Sequence, residues 1–526
     1  MSASSASIIA GMKSGSWCLF SCLGFLTAAS RGLAGPGAEG EGRGGECILG
    51  WSAVPSMQPD GDGGSLASLD GVSETDIWAS GSVRQGTDRH TLVQHWDGSR
   101  WSIVPSPDGP RATNWVNGLA AVAPTDAWIV GYSTDRDVGE TQSETLIERW
   151  DGREWKIVPS PNLSMADVGE EFGGYPVSNE LFGIAKVAPD DIWAVGRSYT
   201  IVRGQELTIH WDGETWKVVP VPPGSGTNGW LRGVLAISRD DVWAFGEHLV
   251  EVPLGGEEGG SGNVQLNLTL HWDGKVWSEV PSPNLSPIVN GLFRGSAASP
   301  SDVWVTGYHL ALFGVNQVNH PTMLHWDGFS WSVDPVPTHN REPAYLFSVA
   351  SLGSQDAIAV GFYDTGPPFP KIHTLVERWN GIGWSIVPSL DPGDHNYLYT
   401  VLPVFPDDIW VAGDSVVGEV ILETLIERYT IICSGPEFRR GDSNSDGRAD
   451  LSDAVMTLNH LFLGAAEPDC LDAADADDSG TIVITDAIFL LGALFLGNAE
   501  IPAPFPGCGP DPTGDGVGCG QPCGGQ

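Results

Sequence analysis

Oxygen-bearing side chains crowd one stretch near the C-terminal end of the chain. Asp442, Asn444, Asp446, Asp450 and Asp453 fall at positions 1, 3, 5, 9 and 12 of a twelve-residue loop, with Gly447 at 6 and the Arg448 carbonyl at 7. A hard divalent cation prefers several oxygen ligands, and glycine permits the sharp turn that wraps them around it, so calcium is the expected ion. An equivalent loop begins at Asp475 and continues through Asp477, Ser479, Gly480, the Thr481 carbonyl and Asp486. Ser479 and Val483 stand where the first loop has Asp446 and Asp450, so the second calcium site is expected to be the weaker. The alternative for each loop is a solvated acidic turn, and it carries more weight for the second loop than for the first.

Apolar runs that read as helices follow the two loops, at 454–463 and 487–495, and the first places Val455, Leu458, Leu461 and Phe462 on one side. Two loops closed by Asp, each followed by one helix and preceded by none, resemble a type I dockerin over about residues 441–499. The resemblance implies a small α-helical domain with paired EF-hand-type loops. It also implies a cohesin-like or other surface protein as partner, and attachment of carbohydrate-active proteins to an extracellular assembly. Loop positions 10 and 11 depart from the family: they are Leu451-Ser452 and Ile484-Thr485, where many cellulosomal dockerins carry polar recognition pairs. An intramolecular or other surface partner is therefore a second expectation.

The rest of the chain must carry whatever this unit attaches, and it is organised by tryptophan. Asp-x-Trp recurs at Trp78, Trp128, Trp193, Trp243, Trp304 and Trp410, with a decayed copy at Asp356-Ala357-Ile358. Trp-Asp/Asn-Gly opens at Trp96, Trp150, Trp211, Trp272, Trp326 and Trp379, and each is followed by a further tryptophan, Trp101, Trp155, Trp216, Trp277, Trp331 and Trp384. A period of roughly 50–65 residues with a fixed aromatic signature points to a radial or stacked repeat. In the second unit the apolar runs 118–122, 127–131, 145–150 and 155–158, separated by Gly, Pro, Asp and Ser turns, predict four short strands.

Four antiparallel strands per unit is the blade of a β-propeller. The last unit lacks its fourth strand, whose signature lies instead at Trp51-Ser52-Ala53-Val54-Pro55-Ser56. The expected fold is mainly β: a seven-bladed β-propeller over 47–433 whose N-terminal strand closes the last blade and leaves no open edge. If Trp51 faces Tyr429, antiparallel register also sets Cys47 opposite Cys433, a pair that could be disulfide-bonded.

The long links between strands, such as 133–143, 160–178, 247–263 and 389–396, all belong to one rim, where recognition is expected. Near the starts of the innermost strands on that rim stand Trp115, Trp230, Arg232, Arg294, Tyr345 and Tyr397. Aromatic rings there could stack on sugars and Arg could clamp a carboxylate, or the same residues could pack the channel. The repeated Asp of Asp-x-Trp and of Trp-Asp-Gly is expected to satisfy backbone N–H groups and not to act in catalysis. The Asp-Gly-x-x-Trp turn resembles the Asp-box hairpin of sialidase-type propellers, itself structural, but lacks its preceding Ser and the residue between Asp and Gly. No nucleophile–base motif and no His-rich metal spacing is evident in the blades.

With 66 acidic against 26 basic residues the net charge is −40, which argues against nucleic acid or an anionic membrane as partner. Residues 1–34, with Lys13 ahead of an apolar run too short to span a bilayer, read as an export signal and predict a secreted or cell-surface protein. Segment 35–46 reads as a flexible Gly-rich lead-in, 434–440 as a linker, and 500–526 as a Cys/Pro/Gly-rich tail. Cys470, Cys508, Cys519 and Cys523 are expected to form disulfides whose pairing the spacing leaves open. Together these features predict an exported, non-catalytic protein that binds a glycan or a protein and is attached through calcium, possible contexts including polysaccharide breakdown. A glycoside hydrolase or lyase acting on polysaccharide is the alternative, and a structural envelope protein a second one.

Overall fold

The computed structural model describes residues 46–135, 142–168, 175–222, 227–253, 261–313, 316–337, 343–366, 371–418, 421–434, 438–468, 470–497, 501–509 and 519. The expected export signal at 1–34 lies outside the described residues, as do most of the lead-in and Cys523. Among the described residues no helix is long and apolar enough to cross a membrane.

The chain is mainly β, built from repeated four-stranded antiparallel sheets. Five sheets have four strands; a sixth has eight, because one parallel bridge between Arg89 and Thr113 continues the ladder from one four-stranded half to the next. The first strands of these units are Gly64–Ser73, Thr113–Ala123, Ser178–Ala188, Thr227–Ser238, Asn290–Ser299, Ala344–Gly353 and His395–Phe405. Each touches the first strand of the next unit, and the last touches the first again. Second strands such as Asp191–Tyr199 and Asp408–Val417 are buried along almost their whole length, because neighbouring sheets cover both faces. That explains their near-continuous apolar runs.

Tryptophan joins sheet to sheet. Trp128 lies 4.9 Å from Trp211 and 5.7 Å from Trp216, the pair that opens and closes the next unit's short hairpin. Trp193, Trp243 and Trp304 repeat this contact with the unit after them. Trp410, in the last unit, makes it with Trp96 (5.1 Å) and Trp101 (5.8 Å) in the first. The final sheet takes its fourth strand from the other end of the chain: Glu46–Ala53 pairs antiparallel with Ile421–Ser434, with Trp51 opposite Tyr429 and Cys47 opposite Cys433.

The strands run longer than their apolar cores predict. Thr113–Ala123 and Ser143–Trp150 replace the expected 118–122 and 145–150, because buried polar residues at the variable rim continue the ladders. Asn114, for example, accepts from Gly109 N–H at 2.9 Å and donates to the carbonyls of Arg89 and Arg111 at 3.1 Å.

The C-terminal unit has two long helices, Leu451–Leu463 and Ile484–Leu496, packed on each other around Ala454, Ala487 and Leu490. Both begin inside the predicted loops, since Asp450 and Val483 already occupy the N-cap positions. A single turn, Leu471–Ala474, precedes the second loop. Phe438 and Arg440, assigned to a linker by their sequence position, are buried in this unit. Phe438 pairs with Gly509, and the Arg440 guanidinium binds the carbonyls of Ala503, Asp472 and Asp475 and the Asp478 carboxylate. Cys470 and Cys519 are joined by a disulfide, and Cys508 is disulfide-bonded as well.

Candidate functional sites: a central cavity and two acidic loops

Each first strand carries a β-bulge at one equivalent place, between Leu66 and Ser68, Val116 and Gly118, Leu181 and Gly183, and so on around the repeat. The flanking Leu or Val is buried, while the bulged residue is only half-buried. A bulge frees one residue from the ladder and re-aims its side chain. Here the freed residues Ala67, Asn117, Phe182, Arg232, Phe293, Phe347 and Tyr399, together with Arg294, line a single cavity of about 230 Å³. Four of the eight are aromatic, and two are arginines.

Around this cavity the aromatic contacts run on from unit to unit. Trp115 stacks on Tyr132, Tyr132 meets Phe182, and Phe182 lies 5.2 Å from Trp230. Phe293 contacts Tyr308 and Phe347, and Phe347 contacts Tyr345, Phe362 and Tyr399. Tyr397 lies beside Phe362 and Tyr399.

All six residues singled out from sequence thus belong to one neighbourhood, but their roles differ. The guanidinium of Arg89 sits 3.8 Å from the ring centre of Trp115, and those of Arg197 and Arg232 sit 3.9 and 3.8 Å from that of Trp230. These indole faces are engaged by cations already. Arg232 is also held bidentate by the buried carboxylate of Glu247, at 2.6–3.0 Å. Tyr345 accepts a hydrogen bond from Asn319. Phe182, Phe293, Phe347 and Tyr399 were not anticipated. Their signal was their common offset from the Asp-x-Trp motif, a comparison between repeats and not a local pattern.

The Asp of Trp-Asp-Gly behaves as expected: Asp97, Asp151, Asp212, Asp273 and Asp327 each accept two backbone N–H groups of their own turn. In the first two, Ser99 and Lys156 lead these bonds in lowering the carboxyl to about 2. The Asp of Asp-x-Trp does something else. It binds the residue immediately before the Trp-Asp/Asn-Gly, or before Tyr429 in the last unit: His95 on Asp76, Arg149 on Asp126, His210 on Asp191, His271 on Asp241, His325 on Asp302, Arg378 on Asp356 and Arg428 on Asp408. The ring or guanidinium then lies against the Asp-x-Trp indole, at 4.2–4.8 Å where that indole is Trp304, Trp128 or Trp410. The side chains cross the second-to-third strand pair, so their partner is a His or Arg side chain across the sheet and not the local backbone.

The two acidic loops are near copies of each other. Asp442 accepts N–H bonds from Asp446 (3.0 Å) and Gly447 (2.8 Å), as Asp475 does from Ser479 (3.0 Å) and Gly480 (2.7 Å). Asp453 accepts from Asn444 and Asp450, as Asp486 does from Asp477 and Val483. Ser445 and Asp478 both adopt positive φ, beside the positive-φ glycines Gly447 and Gly480. The carboxylates of Asp475, Asp477 and Asp486 converge within 4.8 Å and could hold a cation. Desolvation, with the charge of Asp477 adding to it, raises Asp486 to about 7, and desolvation raises Asp453 to about 6. Such crowding of acids is what a divalent cation relieves.

Asp446 accepts from Arg448 N–H, within the loop. The Asp450 carboxylate caps the helix by accepting from the Ser452 N–H and hydroxyl at 2.7 Å. Ala454 and Thr457 face inward, while Val455 and Phe462 point to solvent.

No protein-family model matches the chain, and no curated protein matches it in sequence. Among solved structures it is similar to YCF48 bound to D1 peptide, at 12% identity and a TM-score of 0.40 over 73% of this chain and 95% of that one. It is also similar to an ulvan lyase of polysaccharide lyase family PL25, at 11% identity and a TM-score of 0.43 over 74% and 95% of the two chains. A GH74 xyloglucanase from Xanthomonas campestris matches at 11% identity and a TM-score of 0.41, over 72% of this chain and 55% of that one. At these values the likeness carries no argument about what this chain does.

Proposed function

We propose that this is an exported, non-catalytic binding protein: a seven-bladed β-propeller that recognises a glycan or a protein at its variable rim, with a dockerin-like module that attaches it to a surface partner through calcium. The observation that carries the reading is the convergence of the bulged residues, one from each first strand, on a common aromatic-lined cavity. A scaffold that aims side chains from every repeat at one point suits ligand recognition. The pairing of Glu46–Ala53 with Ile421–Ser434 and the contact of Trp410 with Trp96 support a closed ring.

Asp442, Asn444, Asp446, the Arg448 carbonyl, Asp450 and Asp453 would hold one calcium ion; Asp475, Asp477, Ser479, the Thr481 carbonyl and Asp486 would hold a second, with Ser479 and Val483 making it the weaker. Calcium would supply structure here and not chemistry. Leu451 and Ile484 are 52% and 47% exposed, and Phe462 and Phe495 are 63% and 66% exposed. These apolar residues on both helices support a surface protein, cohesin-like or other, as the attachment partner.

An enzymatic reading has one observation on its side. Asp414, near the channel, is raised to about 6 by desolvation and accepts from Ser65 Oγ at 2.6 Å. One such acid does not supply the two carboxyl groups of a glycosidase. A glycan array and a surface-protein pull-down on the full chain, each with calcium and with chelator, test the proposal. Glycan or protein capture by the propeller, and calcium-dependent capture by the C-terminal unit, are expected. Turnover of a polysaccharide would replace this reading with the enzymatic one.

A further inference from the structure

One residue breaks the pattern of the first strands. Where the ladder resumes after the bulge, six of them have Ser68, Gly118, Gly183, Gly233, Ser348 or Thr400, all small; the fifth has at this place Arg294, which the ladder also skips. The place is tight: a Cβ on Gly233 would lie 2.1 Å from the Phe293 carbonyl oxygen. The next residue is also exceptional, and it makes room for the ring of Phe245. Gly295 stands where the other strands have Leu, Ile or Val, and a Cβ there would lie 2.6 Å from the Phe245 ring.

Arg294 spans the channel, donating from Nη2 to the Asn117 carbonyl at 2.7 Å, and borders both the cavity already described and one of about 250 Å³ beyond it. Among the described residues no carboxylate lines the first cavity and none forms an ion pair with Arg294. The nearby Arg232 has its charge matched by Glu247. Asp70, in the second cavity, is engaged by Lys186 and by Ala121 N–H. Desolvation lowers the guanidinium to about 10, which still leaves it charged at neutral pH. A chain of net charge −40 therefore keeps one unmatched cation at its centre, beside aromatic rings.

We infer that the channel binds a uronic-acid unit of a glycan, with the carboxylate on Arg294 and the sugar ring against Phe293, Phe347 or Tyr399. Guanidinium matches a carboxylate through two parallel N–H bonds, and aromatic faces suit the apolar side of a pyranose. The inference rests on the reading of the propeller as a glycan binder and names the class of sugar.

Calorimetry on the full chain with oligogalacturonate, oligomannuronate and glucuronoxylan fragments, each as free acid and as methyl ester, tests it. At least one free acid should bind more tightly than its ester. Arg294→Gln should weaken that binding by about tenfold or more, and Arg294→Lys should keep part of it. Binding of acid and ester alike, or full binding by both variants, would overturn the inference and leave the propeller a binder of neutral glycans. An Arg294-dependent site that prefers a peptide with a free C-terminal carboxylate would also overturn it. No binding of any glycan would remove the parent reading as well.

Discussion

Replacing one buried glutamate by glutamine should make this protein more stable, and by an amount that depends on pH. Glu148, Glu377 and Glu427 sit at equivalent places in three third strands, fully buried, where the first unit has Gln94. Gln94 makes two bonds with the loop beside it: Met57 N–H donates to its Oε1 and its Nε2 donates to Met57 O. Glu427 receives one N–H, from Leu390. The equivalent loop positions beside Glu148 and Glu377 are Pro107 and Pro337, which have no N–H to offer, and both oxygens of each carboxyl lack partners. Desolvation, with the charge of Asp108 adding to it, pushes Glu148 to about 9.

A carboxyl whose folded pKa lies above its unfolded value of 4.5 favours folding fully only below that value, and its contribution is lost as pH rises toward 9. At pH 7 the folded state must hold a proton that the unfolded chain has released, which costs about 3 kcal/mol for a gap of about 2.5 pH units. An amide has no such linkage. Glu148→Gln is therefore expected to raise the propeller's stability by up to about 3 kcal/mol at pH 7 and by nearly nothing at pH 4. Denaturant unfolding followed by tryptophan fluorescence, at half-unit steps from pH 4 to 8.5, measures this. A variant with the pH profile of the parent chain, or one destabilised equally at every pH, would refute the reasoning.

Three further outcomes are expected. Trp128→Ala removes a fully buried indole that joins two sheets and should cost about 3–5 kcal/mol, read as a lower unfolding midpoint. Calcium should raise the melting temperature of the C-terminal unit in the full chain, and Asp475→Ala should abolish the part due to the second loop; calorimetry with and without chelator checks both. Peptide mapping without reductant should recover Cys47 joined to Cys433, and reduction should lower stability by about 2–5 kcal/mol; a free Cys47 thiol would end this expectation.

Much of the architecture was legible because tryptophan marks its strands. The Trp-x-x-Val-Pro signature at Trp51, missing after Tyr429, was enough to pair the two ends of the chain in the observed register. What was illegible depends on contacts across the sheets. His95 and Arg149 look unrelated in sequence, yet each occupies the place before Trp-Asp-Gly and binds the Asp of its own unit. Phe182, Phe293, Phe347 and Tyr399 in the cavity were missed for a similar reason: a bulge is a mismatch between two strands, and neither strand announces it. In the C-terminal unit Val455, Leu458, Leu461 and Phe462 share one side by spacing, but which residues face inward was not legible: Ala454 and Thr457 do, because the two helices pack closely through small residues. Arg440 and Phe438 gave no sign of burial, since their partners Ala503 and Gly509 come from the tail.

The strand Ile421–Ser434 has neighbours on both edges, Asp408–Val417 on one and Glu46–Ala53 on the other. It is also the strand from which the chain leaves for the C-terminal unit. Tension drawn along it from beyond Ser434 loads two ladders in shear, many hydrogen bonds at once, where an edge strand would peel open one bond at a time. The arrangement makes the anchor point of the sheet assembly one of its mechanically strongest places.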